Sequence, residues 1–542
     1  MIKLLTIQKN KVKTISNASK LIESLYSLGI DCIFGYPGAA ILSIYNELAL
    51  FGKIKHYLVR HEQAALHAAE GYARVSGKVG VVLVTSGPGF TNTITGIANA
   101  YADHTPLIVL AGDVSGANYK GKVFQNVDIK SLVESCAKKT YLVSHKDDID
   151  NIIKDAYKTA MSDVKGPVVI ALSRKFLESD YRHLFIKKSE NNICASDFSK
   201  QEIKLKELLQ KSKRTLLLVG GGAINAANEI QKFVNVVKCP VVSTLMGIGI
   251  FPSSNENYLG MVGINGSHIA NTALNNSDLL ISVGVAFSDR STCKNLNFAK
   301  HAKIVNINIS DTPFDVQLNI KSDAKVFLTR FLSDTLSFPD KCEWFERLNV
   351  LKSENVKTIC ESNMIHSAFV LETLSNLTKK KEPIVVTDVG QHQMLTAQYF
   401  NFDKPRKFIT SGGMGTMGFG LPASIGAYVA NPKTLILNIT GDGSFQMNLQ
   451  ELATCREHHI PVKIIIMDNG YLGMVRQLQE KIYNTCYQVE MTNPDFTKIA
   501  EAYDLFAQRV TEKNELIPAL QKAIDFEGTA IVDVKIDPFE NI

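Results

Sequence analysis

Gly441-Asp442-Gly443-Ser444, with Asn469 following Asp442 at a separation of 27 residues (442 to 469), sets a carboxylate and an amide oxygen at the ends of two apolar runs. Hard oxygen ligands of this kind suit Mg²⁺ beside a phosphate. The run Thr434–Thr440 (TLILNIT) reads as a strand that ends at the glycine turn, and the residues from Ser444 onward (SFQMNLQELATCREHH) have helical spacing. The turn should therefore open a helix, and the free N–H groups there, at Gly443 and Ser444, would face phosphate oxygens. Val462–Met467 (VKIIIM) reads as a second strand that delivers Asn469. Two strand ends would then share one crevice, where open α/β sheets bind ligands. Gly-Asp-Gly alone is equally what a plain strand-to-helix turn looks like; Asn469 at this spacing separates the two readings.

The elements that must position these residues form three α/β units, 14–185, 201–335 and 353–538. In the first, helical stretches (Ala18–Leu28, Glu62–Val75, Asn92–Ala102) alternate with short buried-strand runs (Val79–Val84, Leu107–Ala111, Val168–Leu172), which argues for a parallel sheet covered by helices. A polar stretch, Lys187–Lys200, reads as a linker. The second unit opens with Thr215–Val219 running into Gly220-Gly221-Gly222 and repeats strand-like runs at Val241-Val242, Leu279–Val283 and Ile304–Ile309. Three glycines after a strand suit a nucleotide or merely a tight turn. The third unit holds both strands of the Asp442/Asn469 pair and ends in Ala530–Ile536.

Bulk composition excludes several classes. A chain of 542 residues with 45% apolar and 21% charged residues is long enough for three buried cores. Its net charge of +6 is small for this length and forms no basic stripe, so nucleic acid is not an expected partner. Apolar runs are too short to cross a bilayer, so no membrane association is expected. Nine cysteines without a Cys-x-x-Cys pair fit reduced thiols in a cytoplasmic protein. Met1–Lys20 is basic but has no apolar core before a cleavage site, so it does not read as a secretory signal.

Six ordered blocks carry a wider resemblance: Ile33–Tyr45 (IFGYPGAAILSIY), Val59–Arg74 (VRHEQAALHAAEGYAR), Val84–Asn92 (VTSGPGFTN), Asp388–Gln393 (DVGQHQ), Ser411–Pro422 (SGGMGTMGFGLP) and Met467–Gln477 (MDNGYLGMVRQ). Together they resemble the large catalytic subunit of acetolactate (acetohydroxyacid) synthase, a thiamine diphosphate enzyme, from about Ser19 to about Asp537. The resemblance implies three consecutive parallel-sheet α/β domains: pyrimidine-binding, central and diphosphate-binding. It also implies Mg²⁺ on Asp442, Asn469 and the Tyr471 backbone carbonyl. Glu62 would hydrogen-bond the pyrimidine ring and promote the tautomer that removes the thiazolium proton. Read from position alone, Glu62 would only compensate charge at a helix start. Val389, Gly390, Gln391 and His392 match the diphosphate-side turn, with Gln391 and His392 as donors, although His392 also suits a satisfied loop histidine. The Gly415 carbonyl would accept from the pyrimidine amino group, and Met417 would wedge the cofactor into a bent form or simply pack a core. Pro88, Asn92, Gly443, Ser444 and Met474 complete the implied cofactor contacts. Gly38, within Gly35–Ala39, and Gln125 match substrate-side elements.

The implied reaction decarboxylates pyruvate and joins the two-carbon unit to a second pyruvate, giving 2-acetolactate and CO₂ for branched-chain amino acid synthesis. A keto-sugar acceptor, simple decarboxylation and a non-catalytic relative are the competing readings. The family shares each active site across a dimer, so a homodimer or homotetramer, with a regulatory small subunit, is implied. Several positions depart from the family. Ala39 replaces a second glycine, and Arg174 replaces a lysine. Leu478 replaces a tryptophan that shapes the acceptor pocket, which favours pyruvate over the longer 2-ketobutyrate unless a bulkier acceptor fills the space. Flavin-contacting arginines are Val164 and Ala286 here, and a Met-His pair is Ile264-Asn265. These losses argue against FAD, while Gly220, Gly221, Thr244, Leu245, Gly284 and Arg290 are retained. The family's closing tail has no counterpart after Ile542, and loss of such cover should admit water to the reacting carbon.

Overall fold

The computed structural model describes residues 15–114, 122–183, 197–293, 298–339, 341–354 and 364–542. Most of Met1–Lys20, most of the Lys187–Lys200 linker, Cys194 and Cys360 lie outside them. Among the described residues, Cys32, Cys136, Cys239, Cys293, Cys455 and Cys486 are free thiols, and no helix is long and apolar enough to cross a membrane.

Three six-stranded sheets carry the chain, and every strand pair in them is parallel. The α/β reading of three parallel-sheet units is therefore correct. The first sheet holds β1 (Cys32–Gly35), β2 (Lys55–Leu58), β3 (Gly80–Val84), β4 (Leu107–Asp113), β5 (Lys139–Leu142) and β6 (Pro167–Ser173) in the order β2-β1-β3-β4-β6-β5. The central sheet holds β7 (Thr215–Val219), β8 (Val241–Ser243), β9 (Tyr258–Met261), β10 (Leu279–Val283), β11 (Lys303–Asn308) and β12 (Leu318–Lys321) in the order β12-β11-β10-β7-β8-β9. The third holds β13 (Ile384–Thr387), β14 (Phe408–Ile409), β15 (Ile436–Gly441), β16 (Lys463–Asp468), β17 (Phe506–Val510) and β18 (Ala530–Lys535) in the order β14-β13-β15-β16-β18-β17. Counted from its own first strand, the third sheet repeats the order of the first.

Contacts divide the described residues into two compact units, drawn from Met1–Ala69 with Val79–Glu190 and from Glu70–Lys78 with Asn191–Ile542. The second unit contains both the central and the third sheet. Parallel strands buried on both faces need continuous apolar runs, and β3, β7, β10 and β16 are buried at every position. The helix Asn17–Ser27 shows how the covering layer forms. Ser16 caps it by accepting from the Ser19 N–H at 3.0 Å, and Ala18, Leu21, Ile22 and Leu25 put one apolar stripe into the first core.

One expected helix is broken. The stretch from Ser444 is not continuous: Asp442–Gln446 is helical, then a 3-10 turn (Leu449–Glu451) and a second helix (Leu452–Glu457) follow. The break falls at Asn448, whose side-chain amide donates to the Gly418 carbonyl at 2.7 Å and so ties the chain to another loop instead of continuing the helix. The expected helix from Asn92 likewise begins later, at Ile94, after a short turn of helix at Pro88–Thr91.

Candidate active site

In the first unit, the C-terminal ends of neighbouring strands gather the predicted residues. Glu62 begins the helix that follows β2, and its Oε2 accepts from Asn92 Nδ2 at 2.9 Å. Pro88 and Asn92 bound the short helix after β3. Gln125 has a left-handed backbone (φ 59°), and its Oε1 accepts from the Ser86 hydroxyl at 3.2 Å. Gly87, also left-handed, lets Gln125 approach: a Cβ there would lie 2.7 Å from Gln125 Cβ. Gly38 lies in the turn after β1, where a Cβ would meet Thr85 Cβ at 2.4 Å. Glu62, Asn92, Pro88, Gly38 and Gln125 therefore share one sheet edge. A carboxylate with one oxygen bound by an amide donor keeps the other free to meet a ligand.

In the second unit, β13, β15 and β16 are successive neighbours, and their C-terminal ends open on one cleft. Val389, Gly390, Gln391, His392, Met417, Asp442, Gly443, Ser444, Asn469, Tyr471 and Met474 all line it. Gly415 is not among the lining residues. It sits in the adjoining loop with φ 66°, and an added Cβ would meet only Val389 Cγ1, at 3.8 Å, so its face is open.

The polar groups of this cleft divide into occupied and waiting. Asp442 Oδ2 accepts from the Gly470 N–H at 3.0 Å and from Asn493 Nδ2 at 2.6 Å. Burial, with Asp468 nearby, pushes the Asp442 carboxyl up to about 6. Asn469 Oδ1 accepts from the Tyr471 N–H at 3.0 Å, which leaves its second lone pair available. The His392 ring is buried, its Nε2 has no hydrogen-bond partner, and desolvation lowers its pKa to about 3, so the ring is neutral. An orphaned polar nitrogen at the bottom of a cleft asks for a polar ligand.

Sequence reasoning missed the residues that hold these groups in place. Asp388, almost fully buried, accepts from the N–H groups of Val389 (2.8 Å), Gly418 (2.9 Å) and Gly420 (2.9 Å), and so shapes the glycine loop. Its place at the end of β13, opening the matched Asp388–Gln393 block, was the available signal. Gly473 is needed because a Cβ there would come within 1.9 Å of Gln391 Oε1. Gln391 Nε2 donates to the Glu540 carbonyl at 2.9 Å, and the Glu540 carboxylate accepts from the Ser367 N–H at 3.0 Å at the start of the helix Ser367–Thr378. The Tyr471 ring lies 6.2 Å from the Phe539 ring, with the buried Arg476 guanidinium over both.

The central sheet has the strand order of doubly wound dinucleotide-binding folds, with β7 and β10 at the switch point. Its glycines are explained by packing. A Cβ on Gly220 would lie 2.3 Å from the Gly284 carbonyl oxygen, and one on Gly284 would lie 2.4 Å from the Ala223 nitrogen. Ala286, just after β10, carries no charge, and neither does Val164, which lies before β6 in the first unit.

Comparison with known proteins agrees with this layout. Residues 16–132 match the N-terminal thiamine pyrophosphate (TPP) binding domain of thiamine pyrophosphate enzymes, 203–331 their central domain, and 388–534 their C-terminal TPP binding domain. The acetolactate synthase large subunit of Haemophilus influenzae is 37% identical over 98% of this chain and 96% of its own length. That of Buchnera aphidicola from Acyrthosiphon pisum is 39% identical over the same shares, and the chloroplastic acetolactate synthase of Arabidopsis thaliana is 38% identical over 95% of this chain and 81% of its own. A match of this length and order, on a cleft built from the strand ends of a thiamine pyrophosphate domain, shows that the chain belongs to the acetolactate synthase large-subunit family of thiamine pyrophosphate enzymes.

Proposed function

We propose that the chain makes 2-acetolactate from two molecules of pyruvate with release of CO₂. The observation that supports this most is the cleft at β13, β15 and β16, which Asp442, Asn469 and His392, its Nε2 without a hydrogen-bond partner, all line. Bound thiamine diphosphate supplies the electron sink that lets a 2-keto acid lose CO₂ and its remaining two-carbon unit add to another carbonyl. His392 and the N–H groups of Gly443 and Ser444 hold its diphosphate; the Gln391 amide, expected as a donor, is instead engaged by the Glu540 carbonyl and Gln477 Oε1 and braces the turn. Asp442, Asn469 and the Tyr471 carbonyl would hold Mg²⁺, a hard cation suited to their oxygens. Among the described residues no group of three or more His, Cys, Asp or Glu forms a cage of its own, which suits a site completed by the ligand.

Glu62 holds or releases a proton at a ring nitrogen of the cofactor, with Asn92 fixing its other oxygen and Pro88 beside it. Val389, Gly415, Met417 and Met474 orient the rings. Gly38 and Gln125 border the substrate. Leu478, about half exposed, leaves the acceptor side open, so pyruvate serves as acceptor. We infer that any flavin site is weakened, because the positions where the family carries flavin-contacting arginines hold Val164 and Ala286, while Gly220, Gly221, Thr244, Leu245, Gly284 and Arg290 stand in matching places. The assembly is a homodimer or homotetramer in the cytoplasm that shares its active sites between chains and accepts a regulatory small subunit.

The test is product analysis: protein, pyruvate, Mg²⁺ and thiamine diphosphate, with and without FAD. Acetolactate in equal amount in both is expected. Acetaldehyde alone would reduce the chain to a decarboxylase, little turnover without a keto-sugar would move the acceptor, and dependence on FAD would overturn the flavin reading.

A further inference from the structure

The Asp442 carboxylate is held by a side chain that no motif announces. Asn493, in the stretch between β16 and β17, donates Nδ2 to Asp442 Oδ2 at 2.6 Å and to Asp468 Oδ1 at 2.9 Å. Its Oδ1 accepts from Gln446 Nε2 at 3.1 Å, and Gln446 Nε2 also donates to the Asp442 backbone carbonyl at 3.1 Å. The orientation of the amide is therefore dictated: two carboxylates require the NH₂ end, and an amide donor requires the oxygen end. Asp468, almost fully buried, is in turn paired with Lys535. The chain of contacts runs Lys535, Asp468, Asn493, Asp442.

Three consequences follow from the chemistry of this chain. Without Asn493, two buried carboxylates would face each other with no donor between them, and like charges at that range repel. Asn493 and the Gly470 N–H both donate to Oδ2, with the Gly443 N–H also bearing on the carboxylate, so Oδ1 is the oxygen Asp442 more readily offers a cation. Monodentate carboxylate ligation belongs to the small octahedral Mg²⁺, whereas Ca²⁺ often takes both oxygens of a carboxylate. We propose that Asn493 is a positioning residue for the metal: it fixes the Asp442 carboxylate in the one-oxygen presentation that selects Mg²⁺ and sets its affinity, without touching cofactor or substrate. This rests on the reading of Asp442 as a metal ligand and goes beyond it by naming what makes that ligand competent. Partners of a ligating carboxylate typically govern metal affinity by roughly 10- to 100-fold.

The test uses the full-length chain with thiamine diphosphate and measures Mg²⁺ binding by calorimetry and Mn²⁺ binding by electron paramagnetic resonance, alongside turnover at rising Mg²⁺. Asn493→Ala and the similarly sized Asn493→Leu should both weaken Mg²⁺ roughly 10- to 100-fold, while kcat at saturating Mg²⁺ stays near that of the parent. Discrimination against Ca²⁺ should shrink in both. Far-ultraviolet circular dichroism of each variant identifies any that fails to fold; Asn493→Ser then serves as the gentler replacement, with the same expected loss. Parent-like Mg²⁺ affinity in a folded variant overturns the proposal, as does a kcat loss that saturating Mg²⁺ does not restore. Asp442→Ala separates the two layers. If it binds Mg²⁺ as the parent does, the ligand reading itself fails; if it loses Mg²⁺ while Asn493→Ala keeps it, only the positioning role falls.

Discussion

The first and third sheets share one strand order and load their edges differently. At the first, Glu62 is bordered by neutral amides and tight glycine turns, Asn92, Gln125, Gly87 and Gly38, with Asp113 at the end of β4. At the third, Asp388, Asp442, Asp468 and Asn469 crowd three adjacent strand ends and are held apart by backbone N–H groups, Asn493 and Lys535. The same scaffold thus makes one edge suited to moving a proton and another suited to gripping a charged ligand. What differs is the charge density and the number of donors spent to control it.

That contrast yields predictions that separate proton work from grip. The largest effect is expected at the first edge: Glu62→Gln should cut kcat with pyruvate roughly 10²–10⁴-fold, while thermal-shift titration finds cofactor binding unchanged. Weakened binding would move Glu62 to the gripping side. At the acceptor side, Leu478→Trp should raise the preference for 2-ketobutyrate over pyruvate by about tenfold or more, read as a ratio of kcat/KM values in competition.

Smaller effects belong to the third edge. Glu540→Ala removes the carboxylate that accepts from Ser367 at a helix start and loosens the segment that engages Gln391. A loss of about 0.5–2 kcal/mol in stability, with a modest fall in cofactor affinity, should appear in chemical denaturation and binding titrations. Finally, the raised Asp442 pKa means that the metal-free fold binds this proton more tightly than the unfolded chain does. Its contribution to stability is therefore full below the unfolded carboxylate range near pH 4 and falls as pH rises to about 6. Asp442→Asn should flatten that part of the metal-free stability profile, measured by thermal melting across the window.

Much of this was legible in the chain. Largely apolar runs such as Leu279–Val283 and Thr215–Val219 became strands with the same bounds because parallel strands buried on both faces leave few polar positions to blur the reading. Asp442 and Asn469 were found because each follows its strand directly, so sequence distance and strand adjacency coincide. Residues that act through tertiary contacts were not legible. Asn493 meets Asp442 from 51 positions away, and Glu540 reaches Gln391 across 149. Asn448 looked helical until its bond to Gly418, in a different loop, ended the helix. Local pattern records what a residue prefers, whereas these roles are set by what the fold brings beside it.

The central claim is that Asp442 and Asn469 hold a divalent ion that pins thiamine diphosphate in the β13–β15–β16 cleft. Calorimetric titration of thiamine diphosphate into the parent chain and into Asp442→Ala and Asn469→Ala variants, with and without Mg²⁺, addresses it most directly. The account predicts tight binding by the parent only when Mg²⁺ is present, and loss of that dependence in both variants. Equal binding without the metal, or parent-like Mg²⁺-dependent binding in either variant, would contradict it.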